Sequence, residues 1–284
     1  MKELSAINKK GIKNWYYSPL YLKSNIKSHT RLFEIKNISD NLCIFYRRKY
    51  KGEQKKMFYP PLGNCNDKIL KECLKIAPGG VQYVYSGFKT ELKLKKEHPD
   101  YIYDLKQISE LKGSNYHNQR NMIKRFKRDN EFIWRPIKEE TDKAKILELN
   151  KQWKNGQGKK HYDNMFDRTY SVTAIKYLLK DSISYVVEID NKIVGFVMGG
   201  KLTKDYCLTF LRKCDVKYKG LSDFLFWKFY EEMYHKGFKF GNDGSDIGFP
   251  GLKKFKMGYN PIKFIQNYKI EGKKHKQKSV EEWI

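Results

Sequence analysis

The chain has 284 residues, 40% hydrophobic and 15% aromatic, enough to fill one large core or two modest ones, which argues against global disorder. Its formal net charge of +26 draws phosphate-rich partners, yet lysine is spread almost evenly and singles out no face. Five cysteines without a C-x-x-C pair argue against a disulfide framework or a zinc site, and a reducing cytoplasm suits them better. No stretch reads as a signal peptide or a membrane span, so the expected location is cytoplasmic, with at most a peripheral contact to an anionic membrane surface.

The aromatic cluster Trp15, Tyr16 and Tyr17 is expected in a core. Residues 32–35 and 42–46 read as strands about an Asn/Ser/Asp turn, and residues 57–62 as a strand stopped by Pro60 and Pro61. Residues 67–76 read as a helix halted at Pro78, Gly79 and Gly80, before an alternating strand at 81–88. Leu105, Ile108 and Leu111 share one face of a further helix. Residues 116–130 form a strongly basic helix with Met122, Ile123 and Phe126 inward. Its Arg120, Lys124, Arg125, Lys127 and Arg128 make a stripe suited to nucleic-acid phosphates, although a solvated helix face has the same composition. Asn130 and a strand at 132–137 mark the expected boundary between a domain of residues 1–130 and one of 131–270, with a charged tail at 271–284.

The second half opens with that strand and a helix at 141–153, with Thr141 as its cap and Asp142 in its first turn. The loop at 155–160 lacks the pattern of a nucleotide P-loop, and a helix follows at 169–179. Residues 185–189 and 192–202 form a hairpin about Asp190 and Asn191. Gly195, Gly199 and Gly200 are expected at a bulge or a close backbone approach. A third strand covers 206–213, on which Cys207 and Cys214, an odd number of residues apart, should face opposite sides. After a basic turn at Lys217, Lys219 and Gly220, the residues Leu221, Phe224, Leu225, Phe229 and Met233 line a helix that Gly237 can close. A short strand at 238–240, a Gly/Asp-rich bend and a basic run at 252–256 complete the segment. Strand, basic turn, helix, strand and polar loop suggest a site at a helix N-terminus.

Strand, two helices, three antiparallel strands, Gly turn, helix and strand is an order that resembles the GNAT acyltransferase fold. Thr209-Phe210-Leu211-Arg212, followed by Gly220 to Phe226, is similar to the D-L-M-R and G-x-M-D-F-L-F pattern of the catalytic domain of bacterial phosphatidylglycerol lysyltransferases. Gly251-Leu252-Lys253-Lys254-Phe255-Lys256, with Tyr259 and Pro261, resembles the same family's G-L-R-x-F-K-x-K-F-x-P signature. Gly113, Tyr116, His117, Arg120, Asn121 and Phe126 look like the G-K-x-Y-H-x-K-R-N helix of its soluble relatives. The resemblance implies an α+β fold of two GNAT-like domains in tandem, each a mixed, mostly antiparallel sheet flanked by helices, with the active site in the second. It implies aminoacyl transfer from charged tRNA to a lipid head group, with no further cofactor and no metal. By position, Arg212 and Lys256 would contact substrate and Lys253 would match the motif's Arg. Thr209 stands where the motif has Asp, which departs from recognition of a lysyl cation.

An aminoacyl ester is already activated, so its transfer needs alignment, a base and positive charge near the developing oxyanion. Arg212, Lys253 and Lys256 can supply the charge. Asp223, Asp243 or Asp246 can act as base or hold the donor's α-ammonium. Asp223 is also placed to cap its helix, and residues 242–246 have the composition of an ordinary turn. The candidate catalytic residues are Arg212, Lys256 and Asp223; Lys253, Asp243, Asp246 and Thr209 are candidate substrate contacts. Acyl-CoA is the rival donor, but Lys217 to Ser222 keep only part of an R/Q-x-x-G-x-G/A turn, and Asp223 competes for the same positive helix end. A CoA-dependent N-acetyltransferase and a catalytically silent RNA-binding protein are the alternatives. His117, His161 and His235 have no metal-ligand spacing.

Overall fold

The computed structural model describes residues 12–27, 32–50, 53–85, 87–156 and 167–272. Helix α1 (Pro19–Lys27) leads to strands β1 (Leu32–Ile38), β2 (Asn41–Tyr50) and β3 (Glu53–Phe58), helix α2 (Asp67–Ile76), and strands β4 (Gly80–Tyr85), β5 (Lys95–Lys96) and β6 (Asp100–Asp104). Helices α3 (Leu105–Glu110) and α4 (His117–Asp129) precede β7 (Ile133–Pro136), α5 (Glu139–Gly156) and α6 (Asp167–Tyr177). Strands β8 (Ile183–Ile189), β9 (Lys192–Lys201) and β10 (Tyr206–Cys214) form a meander that feeds α7 (Leu221–His235). β11 (Phe240–Asn242), α8 (Pro250–Gly258), β12 (Lys263–Ile265) and β13 (Asn267–Glu271) complete the chain order.

The chain divides into two compact units, a larger one of Met1–Ser28 with His98–Ile265 and a smaller one of His29–Glu97 with Gln266–Ile284. This division differs from the boundary expected at Asn130. The reason is β6, which pairs antiparallel with both β11 and β12 and so ties the chain from residue 100 onward to the C-terminal sheet. The expected tail begins on Glu271, which closes β13; residues 273–284 lie outside the described residues.

In the smaller unit the strand order is β1-β2-β3-β4-β13-β5, antiparallel except where β3 meets β4. The turn between β1 and β2 is Ser39-Asp40, with φ of 47° and 60°, the left-handed pair that a tight hairpin requires. Helix α2 has the limits expected, because Asn66 caps it by accepting the Ile69 N–H at 3.1 Å. Its Ile69, Leu70 and Cys73 pack with Phe45, Phe58 and Val81 in one core.

In the larger unit the order is β12-β6-β11-β10-β9-β8-β7, and only β10 and β11 run parallel. The expected succession from β7 through α5, α6, the meander and α7 to β11 is present. Helix α5 starts ahead of Thr141, which therefore does not cap it. The Asp142 carboxylate instead accepts the Lys138 N–H at 2.8 Å and two bonds from Arg135. Asp190 and Asn191 make the hairpin turn with φ of 49° and 61°. One face of the sheet buries Ile146, Ile175, Phe196 and Met198 together with Trp15, and the other buries Phe126, Phe224, Phe226 and Tyr259 against α4 and α7.

A bulge in β10 decides which side chains reach α7. The register against β9 shifts between Thr209 and Leu211. Adjacent Phe210 and Leu211 therefore both join the Trp15 side of the sheet, while Cys207 and Cys214 both join the α7 side. The opposite facing expected for the two cysteines fails because the extra residue resets the alternation. The same reset turns Thr209 and Arg212 toward α7, where Thr209 neighbours Tyr230 and Arg212 lies over Phe226. Gly199 is paired with Thr209, and a side chain there would collide with the Leu208 carbonyl and the Phe229 ring.

Candidate active site

Helix α7 begins at Gly220, whose φ of +84° few other residues adopt, and the Met122 carbonyl of α4 occupies the place a Cβ would need. The loop after β11 then brings Asp243 against Tyr230 of α7. The basic run beyond that loop folds as α8, with Pro250 in its first turn where a missing N–H costs nothing. That helix points Lys256 into the interior, whereas the sequence suggested only a basic run closing a polar loop.

Arg212, Asp243 and Lys256 meet. The Arg212 Nη1 donates to Asp243 Oδ1 at 3.0 Å, and the Lys256 Nζ donates to Oδ2 at 2.7 Å. The Lys256 ammonium also donates to the Asp243 backbone carbonyl and, at 3.4 Å, to that of Gly244. The Arg212 guanidinium lies 4.8 Å and 5.2 Å from the ring centroids of Phe226 and Phe255, and Lys256 lies 5.6 Å from that of Tyr101. Side-chain exposure is 11% for Arg212, 2% for Asp243 and 4% for Lys256, so two cations share one carboxylate in a nearly dry setting. Burial alone would raise the Asp243 carboxyl, but Arg212 and then Lys256 hold it below the usual carboxylate range. Burial lowers the Lys256 ammonium despite its contact with Asp243.

Asp223 faces the same region. It does not cap α7, whose cap position is Gly220 without a side-chain bond; its Oδ1 instead accepts the Tyr259 hydroxyl at 2.9 Å. Burial raises its carboxyl, opposed by that hydrogen bond and by the nearby charge of Arg212. Four tyrosines complete the surroundings: Tyr259, which the family signature includes, and Tyr101, Tyr103 and Tyr230, which no motif singled out. The Tyr103 hydroxyl donates to the Lys256 carbonyl at 2.9 Å, and that of Tyr230 to Asp243 Oδ1 at 3.4 Å. Tyr101 donates to Asp246 at 2.6 Å, and the Tyr259 ring packs tilted against that of Phe226. The alternation of Asp100-Tyr101-Ile102-Tyr103-Asp104 is a signal that two of them share a face.

The remaining candidates separate from this cluster. Asp246 is occupied by its own loop, accepting from Tyr101 and from the Gly248 N–H at 2.8 Å, with His98 at 3.3 Å. Lys253 is exposed on α8 and does not reach the buried carboxylate. Thr209 is buried beside Tyr230. On α4, Lys124, Arg125, Lys127 and Arg128 are exposed as expected. Arg120 is not part of their stripe, because its guanidinium donates to the carbonyls of Leu111 and Gly113 at 2.5 Å and 2.6 Å and finishes α3. Arg125 and Arg128 share Asp129 at 3.5 Å and 2.8 Å. A cleft of about 490 Å³ lined by Lys23, Asp181, Lys201 and Lys204 contains none of the cluster residues. Among the described residues no group of His, Cys, Asp and Glu could hold a metal ion, and no helix is long and apolar enough to cross a membrane.

The family described as phosphatidylglycerol lysyltransferase, C-terminal, matches residues 27–271, a span that contains the whole cluster. The chain belongs to that family. Membership places this lysyltransferase-family chain among transferases. Among solved structures it is similar to a conserved protein of unknown function from Bacteroides thetaiotaomicron, at 19% identity and a TM-score of 0.78 over 96% of this chain and 97% of that one. It is also similar to L-PGS from Bacillus licheniformis, at 17% identity and a TM-score of 0.66 over 97% of this chain and 92% of that one. A tandem GNAT protein from the clavulanic acid biosynthesis pathway aligns at 8% identity and a TM-score of 0.51, over 97% of this chain and 95% of that one. The fold is that of two GNAT-like domains in tandem, as the family resemblance implied. No curated protein matches the chain.

Proposed function

We propose that the chain transfers an aminoacyl group from charged tRNA to the hydroxyl of a lipid head group or another small acceptor, at the Arg212–Asp243–Lys256 cluster. The observation that carries this reading is the pair of buried cations held on one carboxylate. Arg212 of β10 and Lys256 of α8 converge on one carboxylate inside an aromatic shell, with Asp100 and Asp223 as further acidic neighbours. Attack of the acceptor oxygen on the ester carbonyl carbon builds an oxyanion, which fixed cations in a dry site stabilise more than water does. Stacking already holds Arg212, and two backbone carbonyls hold Lys256, so neither needs to reorganise as the charge develops. Asp223, raised by burial, takes the acceptor's proton and delivers it to the departing ribose oxygen. Thr209 leaves no carboxylate where the family motif has one, which favours an uncharged aminoacyl group over a lysyl one. The exposed α4 cations Lys124, Arg125, Lys127 and Arg128 supply phosphate contacts to the tRNA, and the activated ester makes a further cofactor unnecessary.

The test incubates the full chain with radiolabelled aminoacyl-tRNA and lipid vesicles, then extracts lipid and aqueous phases. Label in the lipid phase, lost in Lys256→Met, is the expected result; label in an aqueous product identifies a soluble acceptor. Acetyl transfer from acetyl-CoA with no release of label from the tRNA would overturn the reading.

A further inference from the structure

Helix α8 has two faces. Inward it presents Lys256 to the cluster, and outward it exposes Lys253, Lys254 and Met257. Close to that outer face the larger unit exposes further apolar side chains: Ile247, Met257, Ile262 and Phe264 are 40%, 44%, 44% and 47% exposed. They are linked through Tyr101 and the end of the helix. The Phe264 ring packs edge-on to Tyr101 at 5.2 Å, and Tyr101 bonds Asp246, the neighbour of Ile247. The Asn260 N–H donates to the Met257 carbonyl at 3.0 Å, and the Ile262 N–H to that of Ile102 at 2.9 Å, so Met257 and Ile262 flank one tight turn. β12 is the outermost strand of its sheet, and all of Ile262, Lys263 and Phe264 are exposed along it. A cluster of exposed apolar residues of this kind marks an interaction surface.

Its rim is cationic. Among the described residues Lys253, Lys254 and Lys263 make no ion pair, and Asp246, which feels the charge of Lys253, is buried and already bonded to Tyr101, Gly248 and His98. Apolar side chains ringed by unpaired lysines, on a chain with a net charge of +26, complement an anionic lipid surface. We infer that the outer face of α8 and β12 docks on an anionic bilayer, with Ile262 and Phe264 entering the head-group region and Lys254 and Lys263 facing lipid phosphates. This inference rests on the proposed lipid acceptor for its purpose, since docking by this face puts Lys256 about one helix diameter, on the order of 10 Å, from the head groups.

The full chain is floated with vesicles of phosphatidylcholine alone and of phosphatidylcholine with phosphatidylglycerol, at low and high salt. Binding is expected only to the anionic vesicles and weakens as salt rises. Ile262→Ser/Phe264→Ser and Lys254→Glu/Lys263→Glu are each expected to reduce binding by about tenfold or more, with melting temperature and transfer to a water-soluble acceptor unchanged. If the first variant unfolds, the charge-reversed one carries the test. Unchanged vesicle binding in both overturns the inference, and so does a concentration-dependent dimer of the wild type that disappears in Ile262→Ser/Phe264→Ser without any vesicle binding. Anionic vesicle binding without aminoacyl transfer would sink the proposed reaction and leave the surface standing; transfer to lipid undiminished in both variants would do the reverse.

Discussion

Arg135 and Arg212 both sit on strands of the larger unit, and both reach across to carboxylates on other elements, yet their clusters end with opposite charge balance. Arg135 meets Asp142 of α5 through two bonds, at 2.6 Å and 3.0 Å, and also Glu188 of β8, so one cation answers two carboxylates. Its own side chain is 22% exposed, and the cluster ties a strand to a helix and a second strand. Around Asp243 the ratio is inverted, the burial deeper and the neighbours aromatic. Cross-linking alone would be satisfied at neutrality. The comparison teaches that two buried cations gathered on one carboxylate are more than a clamp requires, because removing charge from water is costly.

The largest effect expected on this contrast comes from Asp243→Asn. It strands two buried cations and should lower stability by about 3–5 kcal/mol, as for breaking a buried pair, measured by denaturant unfolding. Next is Lys256→Met, which leaves Arg212 paired. Turnover should fall by about 10²–10³, the size seen for loss of an oxyanion-stabilising donor, with the unfolding midpoint little changed. Retained turnover would make this cluster another clamp like that of Arg135. Asp142→Asn, by contrast, should cost about 1–3 kcal/mol of stability and leave turnover per folded molecule unaltered.

A smaller effect separates the groups by pH. Asp223 is raised by burial, so the acid limb of kcat/KM should lie above the ordinary carboxylate value and vanish in Asp223→Asn. Lys256 is lowered by burial, so the alkaline limb should fall below the ordinary ammonium value. Stability runs the other way for Asp243 and Asp142, whose folded carboxyls are held low. Their contribution is present above the unfolded value and is lost as pH falls through the folded one, so acid should unfold the larger unit. The smallest effect is on RNA. Lys124→Ala/Lys127→Ala should reduce the salt slope of tRNA binding by about one to two without touching turnover at saturating tRNA.

What the sequence disclosed depended on the range of its signals. Helix α2 and the Asp190-Asn191 hairpin have local causes, an Asn66 cap and a pair of residues tolerant of positive φ, and both lie where expected. The order of elements was also legible, and the shared site of Arg212 and Lys256 through the motifs that resemble the family's. The use of Arg120 to finish α3 was not, because a basic helix position carries no mark of which carbonyls will face it. Nor was the β10 bulge, which no glycine within the strand announces and which decides that Thr209 and Arg212 share a face. Helix α8 does carry a local signal, Pro250 at its first turn, but the Gly/Asp-rich bend beside it masks the start of a helix. The place of β6 beside β11 depends on pairing across more than a hundred residues, beyond any periodicity.

β13 comes after β12 with a single residue between them, Gln266, and lies between β4 and β5 in the other sheet. A stop codon or a protease nick just ahead of it would strip the smaller unit of an interior strand, leaving bare hydrogen-bonding edges that invite aggregation. Neither half of this polypeptide can therefore be excised as an independent module by one cut, and every strand through β13 must leave the ribosome before the earliest sheet can close.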